Sequence, residues 1–250
     1  MKIILCGCLG RMGTAVTDLV LEAGDAEIVL GTDPLKPTIP RPYSVEKELR
    51  DITADVLISY MPPQAENATD MLDYCVANSI PAVICTTALS QSFHTAMEAA
   101  SQKIPVFYSA NMSFGVTVLT KMLEDYSALL YENGFDIELV EKHHNKKLDA
   151  PSGTAVSLLE TIQNTLPPTE IVTDRTPQKA ERNHNEIGVH AVRGGSIVGE
   201  HSVIFAGPHE TIELTHSAIS RQVFAEGTLR AARFVIGKPP DMYNMKDLIL

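Results

Sequence analysis

The chain has 250 residues, 44% hydrophobic and 20% charged, the balance of a globular protein with room for one large or two small domains. A formal net charge of −11 argues against nucleic acid or an anionic membrane as partner, and no apolar run approaches the roughly 20 residues of a membrane span. The N-terminus runs straight into Lys2-Ile3-Ile4-Leu5 without a signal-peptide core, and Cys6, Cys8, Cys75 and Cys85 form no C-x-x-C pair. A cytoplasmic location with reduced thiols is therefore expected.

Lys2 to Cys6 is a short apolar run, read as a buried strand. Gly7-Cys8-Leu9-Gly10-Arg11-Met12-Gly13 follows at once, a G-x-x-G-x-x-G variant of the dinucleotide-binding fingerprint. Gly10 and Gly13 fill its last two glycine positions. Met12, Val16, Leu19, Val20 and Ala23 then fall on one helical face. A second strand, Ala26 to Thr32, ends in Asp33, where a carboxylate would reach the ribose hydroxyls of NAD. Next come a strand over Asp55 to Met61, closed by Pro62-Pro63, and an amphipathic stretch from Ala65 to Ala77. A strand over Pro81 to Thr86, a helix over Phe93 to Ala100 and a strand over Ile104 to Tyr108 continue the alternation. Such βα alternation predicts a doubly wound parallel sheet with ligands at the carboxyl ends of its strands. That rule singles out Gly7 to Gly13, Asp33, Cys85-Thr86-Thr87 and Ser109-Ala110-Asn111-Met112.

After a helix at about 116–130 the rhythm changes. A strand carrying Phe135, Ile137 and Leu139 runs into His143, His144, Lys146 and Lys147. Asp149 and the turn Pro151-Ser152-Gly153-Thr154 follow, with Ser152 as N-cap of a helix whose face holds Ala155, Val156, Leu158 and Leu159. Cationic side chains beside a helix N-terminus suit a small substrate bearing carboxylates. The polar stretch from Leu166 to Glu186 reads as a surface loop. Strands at Ile187–Arg193, Ser196–Phe205 and Thr211–Ser217, joined by tight turns, predict an antiparallel or mixed sheet. A last helix begins near Ser220 and carries Phe224, Leu229, Ala232 and Val235. Seven of the eight histidines lie between 143 and 216, but no H-E-x-x-H or Cys/His cluster is present, so no catalytic metal is expected. His201, His209 and His216 are read as half-buried sheet positions.

The stretch Glu141-x-His143-His144-x-x-Lys147-x-Asp149-Ala150-Pro151-Ser152-Gly153-Thr154-Ala155 resembles the signature of the dihydrodipicolinate reductase family. Gly10-Arg11-Met12-Gly13, Ser109-Ala110-Asn111, Val192-Arg193-Gly194-Gly195-x-x-Val198-Gly199-Glu200-His201, Glu213-x-x-His216 and Ser220-Arg221-x-x-Phe224 extend the resemblance along the chain. It implies a Rossmann-like nucleotide domain, residues 1–113 and 224–250, with an inserted α+β lobe, 114–223, for substrate binding and oligomerisation. It also implies NADH- or NADPH-dependent reduction of a cyclic dicarboxylate on the diaminopimelate route to lysine, in a homotetramer. His143 matches the family's proton donor, and Lys147 its second proton-donating or substrate-binding residue. His144, Gly153 and Thr154 match contacts to the substrate's carboxylates. Gly7, Cys8, Leu9, Gly10, Arg11, Met12, Gly13, Asp33, Cys85, Thr86, Thr87, Ser109, Ala110, Asn111 and Met112 match the cofactor contacts. Cys85 stands where the family usually has glycine, Ser59-Tyr60 replaces Asp-Phe, and Pro34 follows Asp33 where some relatives carry arginine.

Hydride addition to a conjugated imine builds electron density that a nearby acid must quench. Lys146 and Lys147 are the charges expected to act on His143, opposing its protonation until a dicarboxylate neutralises them. Asp33, followed by no arginine, predicts NADH preferred or equal to NADPH, with Lys36 softening the choice. Two other functions share part of this pattern: another nicotinamide-dependent amino-acid dehydrogenase, and a non-catalytic NADH-binding redox sensor. Neither requires the His-His-x-x-Lys-x-Asp-Ala-Pro-Ser-Gly-Thr run.

Overall fold

The apolar run that opens the chain is a strand, β1 (Lys2–Cys6), whose side chains divide between two cores: Ile3 and Leu5 on one face, Ile4 and Cys6 on the other. Strands buried on both faces are the mark of a doubly wound sheet. The computed structural model describes residues 1–35, 37–62 and 69–249. Lys36, Pro63 and the start of the amphipathic stretch at Ala65 lie outside them.

The chain divides into two compact units, one made of Met1–Phe114 and the segment from Arg221 onward, the other of Gly115–Ser220. In the first, β1 is followed by α1 (Arg11–Ala23), β2 (Glu27–Thr32), β3 (Val45–Glu46), β4 (Val56–Ser59) and α2 (Asp70–Asn78). Then come β5 (Ala82–Ile84), α3 (Gln91–Ser101) and β6 (Pro105–Tyr108). The seven-stranded parallel sheet has the order β12-β6-β5-β4-β1-β2-β3, where β12 (Asp241–Tyr243) comes from the C-terminal segment. Helix α6 (Gln222–Val235) joins α1 over one face, with Leu229, Ala232 and Val235 in the core of Ile3, Leu5, Val83 and Phe107. Helices α2 and α3 cover the other face through Met71, Leu72, Phe93 and Met97. The two edge strands were not expected from the sequence. Two and three residues are too short to show a period.

In the second unit, α4 (Phe114–Glu132) leads into β7 (Asp136–His143) and α5 (Gly153–Gln163), then β8 (Glu170–Val172), β9 (Glu186–Arg193), β10 (Gly199–Ala206) and β11 (Thr211–Ala218). The five-stranded sheet has the order β11-β10-β7-β9-β8 and is mixed. β7–β9 and β8–β9 are parallel, while β10 runs antiparallel to both β7 and β11. Ile137, Leu139, Ile187, Val189, Val203 and Phe205 face the core with Leu119, Leu123, Leu158 and Ile162 of α4 and α5.

Three expectations are corrected here. The segment Leu166–Glu186 is not all loop, because β8 pairs Ile171 with Ile187. Ser196 lies in a turn, Ile197 and Val198 belong to no regular element, and β10 starts at Gly199. His209 is exposed in the turn between β10 and β11, whereas His201 is fully buried in β10 and His216 half-buried in β11.

Candidate functional site

At the end of β1, Gly7 has φ +75°, and a Cβ there would stand 2.9 Å from the Tyr60 carbonyl oxygen. A Cβ on Gly13 would fall onto the Gly7 carbonyl and the Cys8 backbone. The turn is thus as tight as the chain allows, and both positions require glycine. Gly10 is the N-cap of α1 and offers no side-chain cap, so that helix N-terminus presents backbone donors between glycines. Arg11 is exposed, Leu9 and Met12 half-buried, and Cys8 buried. Asp33, at the end of β2, is only 8% exposed. It accepts the Leu9 N–H on Oδ2 at 3.0 Å and the Leu35 N–H on Oδ1 at 3.1 Å. The acid is tied to the glycine turn and keeps lone pairs for further donors.

Cys85, Thr86 and Thr87 follow β5; Thr86 donates its hydroxyl to the Met61 carbonyl at 2.8 Å, and Thr87 is exposed. Cys85 Sγ lies 3.7 Å from Thr228 Oγ1 on α6, and the Tyr60 hydroxyl meets that same oxygen at 2.5 Å. The unusual cysteine and the unusual tyrosine are therefore neighbours, joined through one threonine. Burial pushes the Cys85 thiol up to about 12 and the Tyr60 phenol far above its ordinary range, so both keep their protons. After β6, Ser109 Oγ donates to the Asn111 carbonyl at 2.7 Å, and Asn111 Oδ1 accepts the Ser113 N–H at 2.9 Å. Ala110 is exposed and Met112 buried. All the sequence-predicted dinucleotide positions thus lie beyond the carboxyl ends of β1, β2, β5 and β6, where ligands of such sheets bind.

In the other unit the side chains of β7 alternate. Ile137, Leu139, Glu141 and His143 share its buried face, and there the apolar core gives way to polar groups. Glu141 is 0% exposed and His143 8%. His143 Nδ1 is 2.5 Å from Glu141 Oε2. Arg193, at the end of β9, grips the same carboxylate with Nη1 at 2.8 Å and Nη2 at 2.7 Å, and the Ser152 N–H donates to Oε1 at 3.2 Å. Burial pushes the Glu141 carboxyl up, but Arg193 and His143 outweigh it and hold the group below the usual carboxylate range. Across from them, the His201 ring meets the His143 ring edge to face at 5.2 Å. Its Nε2 is 3.0 Å from Ser152 Oγ, which also accepts the Ala155 N–H as N-cap of α5. Burial first, then the neighbouring His143, push His201 down to about 4, so it is neutral near pH 7.

Lys147 is paired with Asp149 at 2.8 Å, and Lys146 is exposed. The charged group in contact with His143 is therefore the Glu141 carboxylate rather than either lysine, which corrects the expected electrostatics. His144 lies just past β7, half-buried, with a buried Nδ1 that has no hydrogen-bond partner among the described residues. Gly153 opens α5 and is exposed, and Thr154 is half-buried beside it. Glu141, Arg193 and His201 are site residues that the sequence alone does not single out. The signal for Glu141 was the alternation itself, which places a carboxylate where Ile137 and Leu139 predict an apolar side chain.

Two family models, described as "Dihydrodipicolinate reductase, N-terminus" and "Dihydrodipicolinate reductase, C-terminus", match residues 1–112 and 115–249. A 4-hydroxy-tetrahydrodipicolinate reductase of Caldanaerobacter subterraneus subsp. tengcongensis is 45% identical over 99% of this chain and 98% of its own length. The one of Clostridium novyi is 43% identical over the same shares. Among solved structures, a dipicolinate-bound dihydrodipicolinate reductase from Paenisporosarcina sp. TG-14 has a TM-score of 0.79 at 22% identity, covering 100% of this chain and 99% of that one. Aspartate dehydrogenase from Thermotoga maritima also shares the fold, with a TM-score of 0.53 at 14% identity over 95% and 97% of the two chains. The fold alone thus does not separate these activities; the sequence matches do, and by them the chain belongs to the dihydrodipicolinate reductase family.

Proposed function

We propose that the chain reduces 4-hydroxy-tetrahydrodipicolinate to tetrahydrodipicolinate with a nicotinamide dinucleotide, in lysine and diaminopimelate biosynthesis. The names of its full-length relatives describe this activity. The observation that carries it to these residues is His143, a buried histidine held by a buried carboxylate beside the N-terminus of α5, inside the family's signature run. The first unit fits a dinucleotide. The uncapped start of α1 and the enforced glycines of the turn suit a pyrophosphate, and the anchored Asp33 carboxylate suits ribose hydroxyls. Gly7 to Gly13, Asp33, Cys85 to Thr87 and Ser109 to Met112 are its proposed contacts, and the bound cofactor supplies the hydride.

In the second unit, His143 donates the proton that quenches the resulting electron density, and Lys147 assists as second donor or carboxylate partner. His144 and the Gly153-Thr154 backbone take the substrate's carboxylates. With Asp33 in place and no arginine after it, NADH is preferred or equal to NADPH. A cytoplasmic location and a homotetramer complete the reading.

The test is spectrophotometric: NADH oxidation by the purified protein with freshly generated hydroxy-tetrahydrodipicolinate, beside oxaloacetate plus ammonia. Turnover on the cyclic dicarboxylate alone is expected. Turnover on the keto acid alone would make the chain an amino-acid dehydrogenase. Tight NADH binding without turnover on either would make it a sensor.

A further inference from the structure

We propose that Glu141 is a positioning residue for the proton donor: its carboxylate holds the Nδ1–H of His143 inward, so that Nε2 is the nitrogen that delivers the proton. This rests on the reading of His143 as the acid and deepens it. Glu141 is wholly buried, and every hydrogen bond found at its carboxylate comes from a donor: two from Arg193, one from the Ser152 amide and one from the His143 ring. The paired guanidinium keeps the carboxylate ionised, and an ionised carboxylate only accepts. His143 Nδ1 must therefore carry hydrogen in either charge state of the ring. On the other edge, a Cβ added to Gly199 would stand 3.1 Å from His143 Nε2, so the glycine gives that nitrogen its clearance.

The charges around the ring come from four places. Glu141 is on its own strand and Arg193 on β9; His201 on β10 is held neutral, and Lys147 in the following loop is paired with Asp149. Of these, the Glu141 carboxylate is the one hydrogen-bonded to the ring. When the acid acts, the Nε2–H bond breaks and the proton passes to the hydride-reduced substrate. The N–H electron pair stays on the ring, which remains as neutral imidazole with Nδ1–H kept. Solvent then reloads Nε2.

The competing account makes Glu141 a purely structural tie. It is plausible mechanically, since Arg193 also reaches the Asp149 carbonyl at 2.6 Å and so braces the turn before α5. Four variants separate the two: Glu141→Gln, Glu141→Asp, His143→Ala and the Glu141→Gln/His143→Ala double. Each is read by kcat, KM, NADH affinity and melting temperature. Glu141→Gln is expected to lower kcat by about 10–10³-fold, with KM and NADH affinity little changed. A loss confined to kcat is the split expected of a group that orients the donor, whereas a merely structural tie would show in the melting temperature. Glu141→Asp, which keeps the charge and the acceptor, should recover much of the turnover. In the His143→Ala background, Glu141→Gln should cost no further turnover.

A Glu141→Gln protein of lower melting temperature but near-normal kcat would overturn the inference, as would a loss that adds in full on His143→Ala. Glu141→Gln leaves the Arg193 charge uncompensated; if it fails to fold, near-normal kcat in Glu141→Gln/Arg193→Met, which removes both charges, overturns the inference just as well. Near-normal turnover in His143→Ala would instead remove the acid reading itself, and this inference with it.

Discussion

His143 and His144 are adjacent in the chain but sit in different surroundings, one on the buried face of β7 against Glu141, the other just beyond the strand with a bare buried Nδ1. Their substitutions should separate accordingly. His143→Ala is expected to lower turnover by about 10²–10⁴, the usual worth of a general acid, with NADH affinity unchanged. His144→Ala should mainly raise KM. Lys147→Ala should harm both parameters and also strand Asp149. Steady-state kinetics per active site, with melting temperatures alongside, check all three; near-normal turnover in a destabilised His143→Ala protein would defeat the assignment. His201 carries a separate prediction, on stability. It is pushed from 6.5 down to about 4, so between those values the unfolded chain binds more protons than the folded one and stability falls as pH falls. The loss accumulates to about 3 kcal/mol by pH 4. His201→Gln should flatten that part of a urea-denaturation profile, and an unchanged slope would refute it. Of this chemistry, the histidines and lysines were legible in the sequence because they form a local run. The Glu141–Arg193 fork was not, since β7 and β9 are brought together only by the sheet register that sets His143 beside Arg193.

Helix α6 shows what an element contributes beyond its own residues. Gly227 lies so close to the turn after β6 that a Cβ there would overlap the Met112 carbonyl. Alanine would gain about 1 kcal/mol of helix propensity. Relieving a backbone overlap in a packed core costs about 1–3 kcal/mol, so the balance is a loss. Gly227→Ala should therefore lower the melting temperature and, by shifting Ser109 to Met112, weaken NADH binding; a more stable protein would contradict the packing. At the end of β2, Asp33→Ala should weaken NADH more than NADPH, because only NADH loses a ribose partner while NADPH loses a repulsion. Comparison of the two dissociation constants tests this. A Michaelis constant for NADPH at least tenfold below that for NADH in the unaltered protein would sink the preference. The βα alternation made β1, β2, β4, β5 and β6 legible, since each is an apolar run bounded by turn residues. Strands β3, β8 and β12 were invisible because two or three residues carry no periodicity, and only their partners define them.

At the scale of the whole molecule, the apolar segment Val203 to Ala206 of β10 is only in part available for assembly. The structure turns Val203 and Phe205 into the core of the second unit, against α4 and α5. Ile204 and Ala206 stay partly exposed. On the face of the mixed sheet opposite that core, Val192 is 44% exposed, while Lys142 pairs with Glu200, and Glu138 with Arg182 and His190. β11 is an edge strand eight residues long with most of its side chains at the surface. A long open edge beside a partly apolar, ion-paired face is commonly covered by symmetric association, and mixed polar and apolar surface is ordinary at such interfaces. We therefore expect a homotetramer formed through this sheet. Light scattering across a hundredfold range of protein concentration should return four times the chain mass. A Glu200→Lys change, which sets like charges on the paired β7 and β10 positions, should lower that mass while leaving NADH affinity intact. A concentration-independent monomer would reject the tetramer. A tetramer unmoved by Glu200→Lys would place its interface elsewhere than on this face.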